Sequence, residues 1–209
     1  AKKAADEADR CWRKYVPTGE SDYLARKGVK AYGLRFSPSG NGTVAVPMLR
    51  DGRVVGLQII RGKDRGNKLE KQYWPAGMDK VGAYHLIGGI PRGLVLVAEG
   101  YATAATLHEA TGLPVAVAFD AGSLMHVVAD LAQKYRTSKI LICADDDYLT
   151  PGNPGCEAAR LAATAHGAAW CKPNFTEERS TTKKGPTDYN DLAQLEGAHV
   201  VAAQIAALL

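Results

Sequence analysis

Carboxylates stand at three places in this 209-residue chain where they could do metal chemistry on phosphate. Glu99 closes the apolar run Leu94-Val95-Leu96-Val97-Ala98 and is followed by Gly100 and an alanine-rich stretch. Asp145, Asp146 and Asp147 close the run Lys139-Ile140-Leu141-Ile142-Cys143-Ala144, and Asp188 and Asp191 lie in Thr187-Asp188-Tyr189-Asn190-Asp191-Leu192. An apolar run that ends in an acid and a turn reads as a buried strand delivering that acid at its C-terminal end. In an open α/β sheet such ends share one edge, and ligands bind there. Crowded carboxylates repel unless something positive neutralises them. A hard divalent cation with carboxylate and water ligands does so, and Mg2+ (or Mn2+) suits phosphate chemistry. Asp145 and Asp147 are one residue apart, so on an extended segment they point the same way while Asp146 points opposite. Asp146 is therefore expected to tolerate substitution best. Taken singly, Glu99 or Asp145 reads equally well as a helix cap or a solvated loop residue. Glu99 is open to two roles, metal ligand or general base.

The elements that must position these groups fall into two parts. Residues 2–15 and 21–27 read as helices, the second opened by Ser21 and closed by Gly28. Residues 42–49 and 53–60 read as strands joined by Asp51-Gly52, a strong hairpin signal. Two more strands are expected at 71–74 and 83–87. Gly88-Gly89-Ile90-Pro91-Arg92-Gly93 marks a boundary, giving an α+β subdomain over 1–92 and a second domain over 93–209. Beyond it, strands at 94–98, 115–118, 139–144 and 168–171 alternate with helices at 102–111, 123–136, 156–166 and 200–209. Such alternation predicts an α/β fold, a mostly parallel sheet flanked by helices.

Composition narrows the classes. An apolar content of 46% suits a globular core, and no run is long enough to span a membrane. No signal peptide is visible, and the absence of an initiating methionine suggests a piece of something longer. The four cysteines form no CxxC pair and no zinc-finger spacing, which points away from structural zinc and toward a reducing cytoplasm. The formal charge is only +4, but Arg53, Arg61, Lys63, Arg65, Lys68 and Lys71 crowd one span, with Lys183 and Lys184 as a second basic spot. A basic groove beside a carboxylate site is what a nucleotide- or nucleic-acid-handling enzyme needs, and a solvated surface face is the bland alternative. The scattered histidines and Trp12, Trp74 and Trp170 read as structural.

Together these strings resemble the Toprim domain shared by bacterial-type primases, topoisomerases and certain nucleases. Glu99 to Ala104, EGYATA, is similar to the motif of plasmid conjugative primases and satellite-phage primase-helicases. The strings ADDD and TDYNDL fit the same group. Upstream, Arg53-Val54-Val55-Gly56, Arg61 and Lys71-Gln72-Tyr73 resemble the basic strand elements that precede Toprim in replicative primases. The resemblance implies a Toprim fold and a DNA primase core that makes short RNA primers on single-stranded DNA from ribonucleoside triphosphates. It implies Glu99, Asp145 and Asp147 as the catalytic metal ligands, with Asp188 and Asp191 as secondary ones. It implies that Arg61, Lys71, Arg53, Lys63 and Lys68 touch nucleotide or template. It further implies a helicase or accessory domain in the same longer chain. The alternatives are a Toprim nuclease and a catalytically inactive single-strand-binding replication module.

Overall fold

The computed structural model describes residues 1–61, 71–180, 182 and 185–209. They divide into two compact units, Ala1–His85 and Leu86–Leu209. The expected boundary at 92/93 lies a few residues downstream of that division.

The first unit is a helix on an antiparallel sheet. Helix α1 (Lys2–Lys14) and the short α2 (Asp22–Lys27) precede strands β1 (Arg35–Phe36), β2 (Val44–Arg50), β3 (Arg53–Ile60) and β4 (Lys71–Trp74). The strands run in the order β1-β2-β3-β4, and every pair is antiparallel. Asp51 and Gly52 both take positive φ, 50° and 73°. That is the backbone of a two-residue turn whose twist matches its flanking strands. Helix α1 lays Ala8, Cys11, Trp12 and Tyr15 against Ala45, Leu57, Ile59, Val54 and Trp74 of the sheet.

The second unit holds a five-stranded sheet. Its elements are β5 (His85–Ile87), β6 (Leu94–Ala98), α3 (Tyr101–Thr111), β7 (Val115–Val117), α4 (Leu124–Lys134), β8 (Lys139–Cys143), α5 (Pro154–His166), β9 (Ala169–Cys171), α6 (Tyr189–Glu196) and α7 (Ala198–Ala206). Strand order is β5-β7-β6-β8-β9. The pairs β6–β7, β6–β8 and β8–β9 are parallel. The strand expected at 83–87 within the first subdomain is shorter, and β5 joins this second sheet instead. Period-two patterning shows that a strand exists, not which sheet it pairs with. The acidic cluster of 187–192 turns out to open helix α6, an element not expected from the sequence; its apolar residues are too few to show a period.

The chain leaves β6 toward β7 on one side and leaves β8 toward β9 on the other. The junction between β6 and β8 is therefore the switch point of the sheet, where diverging connections leave a crevice beyond the strand ends. Helix α3 packs with α6 and α7, and α4 packs with α5. Helix α3 is buried from Tyr101 to Leu107, and its run of Ala and Thr from 102 to 106 lets it pack closely against its neighbours. No helix of the described residues is long and apolar enough to cross a membrane.

Leu57 is fully buried at the centre of the α1–sheet contact. Leu57→Ala is expected to lower unfolding stability by about 2–5 kcal/mol, the cost of a core cavity, measured by urea denaturation.

Candidate active site

Strands β6 and β8 run side by side with Ala98 opposite Cys143. One residue beyond Ala98 is Glu99, and two beyond Cys143 is Asp145, so the parallel register alone carries both acids to the switch-point crevice. The Asp145 backbone lies beside the Glu99 carboxyl and favours its charged form, against the larger effect of burial. Oε1 of Glu99 and Oδ1 of Asp145 are buried with no hydrogen-bond partner. Burial pushes the Glu99 carboxyl up from an ordinary 4.5 to about 7, with further upward pressure from Asp147, Asp120 and Asp188. Burial likewise pushes Asp145 from 3.8 to about 8, helped by Glu99, Asp188, Asp147 and Asp191. The expected acids therefore sense one another electrostatically. Among the described residues, however, no group of three His, Cys, Asp or Glu side chains is gathered closely enough to hold an ion as it stands.

Each remaining acid has its own local explanation. Asp147 Oδ2 accepts from the backbone N–H of Gly155, 3.2 Å away, in the first turn of α5. A helix N-terminus favours a carboxylate there. Asp188 is the N-cap of α6, accepting from Asp191 N at 2.8 Å, while Asp191 Oδ2 accepts from Thr187 N at 2.9 Å. Asp188 caps the helix and Asp191 reaches back to the N–H of the residue before the cap, so their presence in the sequence is explained by helix start as well as by ligation. Asn190, buried, donates to Thr106 Oγ1 of α3 at 2.9 Å and holds that helix start in place.

Asp146 differs from the expectation. It does point away from its neighbours, but into the protein: its side chain is wholly buried. It accepts from Arg179 at 2.6 Å, Asn153 at 2.6 Å and Lys172 at 3.1 Å. Burial would raise its pKa, but the Arg179, Asn153 and Lys172 donors outweigh it and hold the carboxyl below the ordinary 3.8. A residue so engaged is expected to be less tolerant than strand alternation suggests, because removing its charge leaves Arg179, Lys172 and Asn153 without their shared acceptor. Its cationic partners come from 26 and 33 residues downstream, beyond the reach of local pattern.

Two further residues belong to the edge. Asp120 follows β7, caps the turn Ala121–Ser123 through Ser123 N and Oγ at 2.9 and 2.8 Å, and raises Glu99. The pattern that could have revealed it is Val115-Ala116-Val117-Ala118-Phe119-Asp120, again a strand followed by an acid. Gly155 lies so close to the site that an added Cβ would strike the Asp145 carbonyl and come within 3.1 Å of Glu99 Oε1. Nothing local in the sequence marks that approach.

In the first unit, Lys71 opens β4 opposite Ile60, the residue before Arg61. Arg61 Nη2 donates to Gln72 Oε1 at 3.2 Å, and the Lys71 ammonium sits 5.6 Å from the Tyr23 ring centre. Arg61 and Lys71 thus share one end of the β3–β4 pair. Arg53 starts β3 at the other end, about 26 Å away at roughly 3.3 Å per residue. There it lines a groove of about 870 Å³ with Lys2, Arg13 and Arg35 and with the acids Asp6 and Asp9. Arg53 therefore stands apart from Arg61 and Lys71. Lys63, Arg65, Lys68, Lys183 and Lys184 lie outside the described residues.

A switch-point crevice lined by buried acids on a doubly wound sheet defines the class. The model of the Toprim domain matches residues 94–199, and the chain belongs to that family. Two relatives, both DNA primases named TraC from Escherichia coli, are 32% and 33% identical to it over 76% and 77% of its length. The chain spans only 11% and 16% of those proteins. Among solved structures, the DnaG primase catalytic domain bound to ssDNA superimposes with a TM-score of 0.64 at 14% identity, covering 99% of this chain and 78% of that one. That likeness shows the fold, a Toprim sheet preceded by a smaller α+β unit.

The raised carboxyls have a consequence for stability. Because folded Glu99 and Asp145 hold protons that the unfolded chain releases near pH 4, their stabilising share is complete below that pH. It is lost as pH rises toward about 7 and 8. In a chelator, the melting temperature is expected to fall between about pH 5 and 8 by this linkage. Asp145→Asn should flatten that fall, as read by scanning calorimetry.

Proposed function

We propose that this chain is the catalytic core of a DNA primase of the plasmid or phage type. It would synthesise short RNA primers on a single-stranded DNA template from ribonucleoside triphosphates, with a helicase or accessory domain in the same longer chain. The observation that carries the reading is the pair of buried, unpartnered oxygens, Glu99 Oε1 and Asp145 Oδ1, at the switch point. Two carboxylates of like charge with orphaned oxygens in a buried crevice fit a divalent cation, which removes both the repulsion and the missing partners. Family membership and the resemblance to proteins named DNA primase support the choice of chemistry.

Glu99, Asp145 and Asp147 would hold Mg2+ or Mn2+, with Asp188 and Asp191 adding negative field from the cap of α6. When bound, the ion supplies positive charge to the α-phosphate and lowers the pKa of the attacking 3′-hydroxyl. The 3′-oxygen forms a bond to the α-phosphorus, and the bond to pyrophosphate breaks. In the alternative role, Glu99 would act as the general base that receives the hydroxyl proton instead of as a metal ligand. Arg61 and Lys71 hold triphosphate or template phosphate by charge, not by base reading.

The test supplies labelled ribonucleotides, single-stranded DNA and Mg2+ or Mn2+. Labelled primers uphold the reading, shortened DNA indicates the nuclease, and DNA binding without either product indicates an inactive module. Glu99→Gln and Asp145→Asn are each expected to lower synthesis by about 10²-fold or more with circular dichroism unchanged; near-parent synthesis by either overturns the assignment. Arg61→Ala and Lys71→Ala should each weaken single-stranded DNA binding and reduce its salt dependence, by about 0.7 in the log–log slope for each phosphate no longer neutralised.

A further inference from the structure

Of the three consecutive carboxylates, Asp146 is met by cations of the chain itself, Arg179 and Lys172. Lys172 is half-exposed, whereas the Arg179 side chain is only 19% exposed. Arg179 is also fixed from several directions. Its guanidinium lies 4.0 Å from the Tyr148 ring centre and 4.9 Å from that of Phe175, and Nη1 donates to the Pro186 carbonyl at 3.2 Å. Around this contact the aspartate segment is joined to the later loop at two more points. Asp146 N donates to the Thr187 carbonyl at 2.8 Å, and Tyr148 Oη donates to the Ser180 carbonyl at 2.9 Å. The loop so held runs directly into the cap formed by Asp188 and Asp191.

A charge pair this buried adds little net stability compared with an apolar pair of similar size, because desolvation offsets the attraction. Its geometric effect is larger. Asp146 lies between Asp145 and Asp147, so anchoring both its side chain and its backbone N–H restricts the backbone that carries its two neighbours. The planar guanidinium, hydrogen-bonded on one side and stacked on its face, allows one orientation where an ammonium allows many.

Building on the carboxylate site proposed above, we propose that Arg179 is a positioning residue for it. Through Asp146, Arg179 sets how Asp145 and Asp147 are presented, and the same contact ties them to the loop that carries Asp188 and Asp191. Arg179 does not touch the substrate. Its removal should therefore weaken divalent-ion binding without abolishing turnover once the ion saturates.

The experiment uses the full chain as parent, Arg179→Ala and Arg179→Lys. Mn2+ binding is read from the electron paramagnetic resonance of free Mn2+, with no turnover required, and primer synthesis is read across a Mn2+ titration. Arg179→Ala is expected to raise the Mn2+ dissociation constant by about 10–100-fold, as removing an outer partner of a ligand does. Arg179→Lys should lie between it and the parent, and both variants should approach the parent's maximal rate at saturating Mn2+. Unchanged Mn2+ affinity beside a lowered melting temperature makes the contact purely structural and overturns the proposal. A maximal rate that saturating Mn2+ does not restore also overturns it, because Arg179 would then act on the reacting groups. If Arg179→Ala does not fold, Arg179→Lys decides by the same criterion: parent-like Mn2+ affinity overturns the proposal, and weakened affinity upholds it. A parent that binds Mn2+ in an Arg179-dependent way but makes no primers removes the primase reading and upholds the positioning role. A parent that binds no Mn2+ overturns both.

Discussion

Two carboxylates of like charge, Glu99 and Asp145, are held in one buried crevice, and the rest of the second unit is arranged around that repulsion. The parallel register of β6 and β8 brings them there. The approach of α5 closes the crevice. It requires glycine at 155, because the helix start lies against the Asp145 carbonyl and Glu99 Oε1. The same close approach excludes water, so each acid is held well above its ordinary range by burial before its neighbours add to the effect. Two buried acids of this kind are costly to keep charged together unless something positive offsets them.

The acids of this edge resolve their charge in different ways, and that difference separates scaffold from site. Asp120, Asp188 and Asp191 accept backbone N–H groups at the starts of helical turns. Asp146 accepts from two cations and an amide within the fold. Asp147 takes a helix N–H at one oxygen. Glu99 and Asp145 alone among these acids keep a buried oxygen with no partner. An unmet acceptor in a buried place is retained at a cost in stability. That is why the functional reading rests on these two residues more than on the count of acids.

Much of the architecture is written locally. Alternating strands and helices, the Asp51-Gly52 hairpin and the acid at the end of each central strand all follow from short-range rules, and the structure places those elements within a few residues of their expected bounds. Helix α6 escaped because its first turn is dominated by the capping acids, which read as a binding cluster when no helix is assumed. The partner sheet of β5 escaped for a different reason, since pairing between strands far apart in sequence leaves no local trace.

The sequence by itself determined the class of fold, the strand ends that present Glu99 and Asp145, and the chemistry that buried acids at such ends can support. Only the tertiary structure decided what each acid contacts. Strand periodicity shows which way Asp146 faces relative to Asp145 and Asp147, but not that Arg179 and Lys172 wait on its side. It shows Arg53 opening a strand and Arg61 just past its end, but not which side chains surround each of them. Charge interactions act through space and fall with distance and dielectric, not with separation along the chain. Residues that meet across 33 positions, as Asp146 and Arg179 do, therefore become visible only once the fold has brought them together.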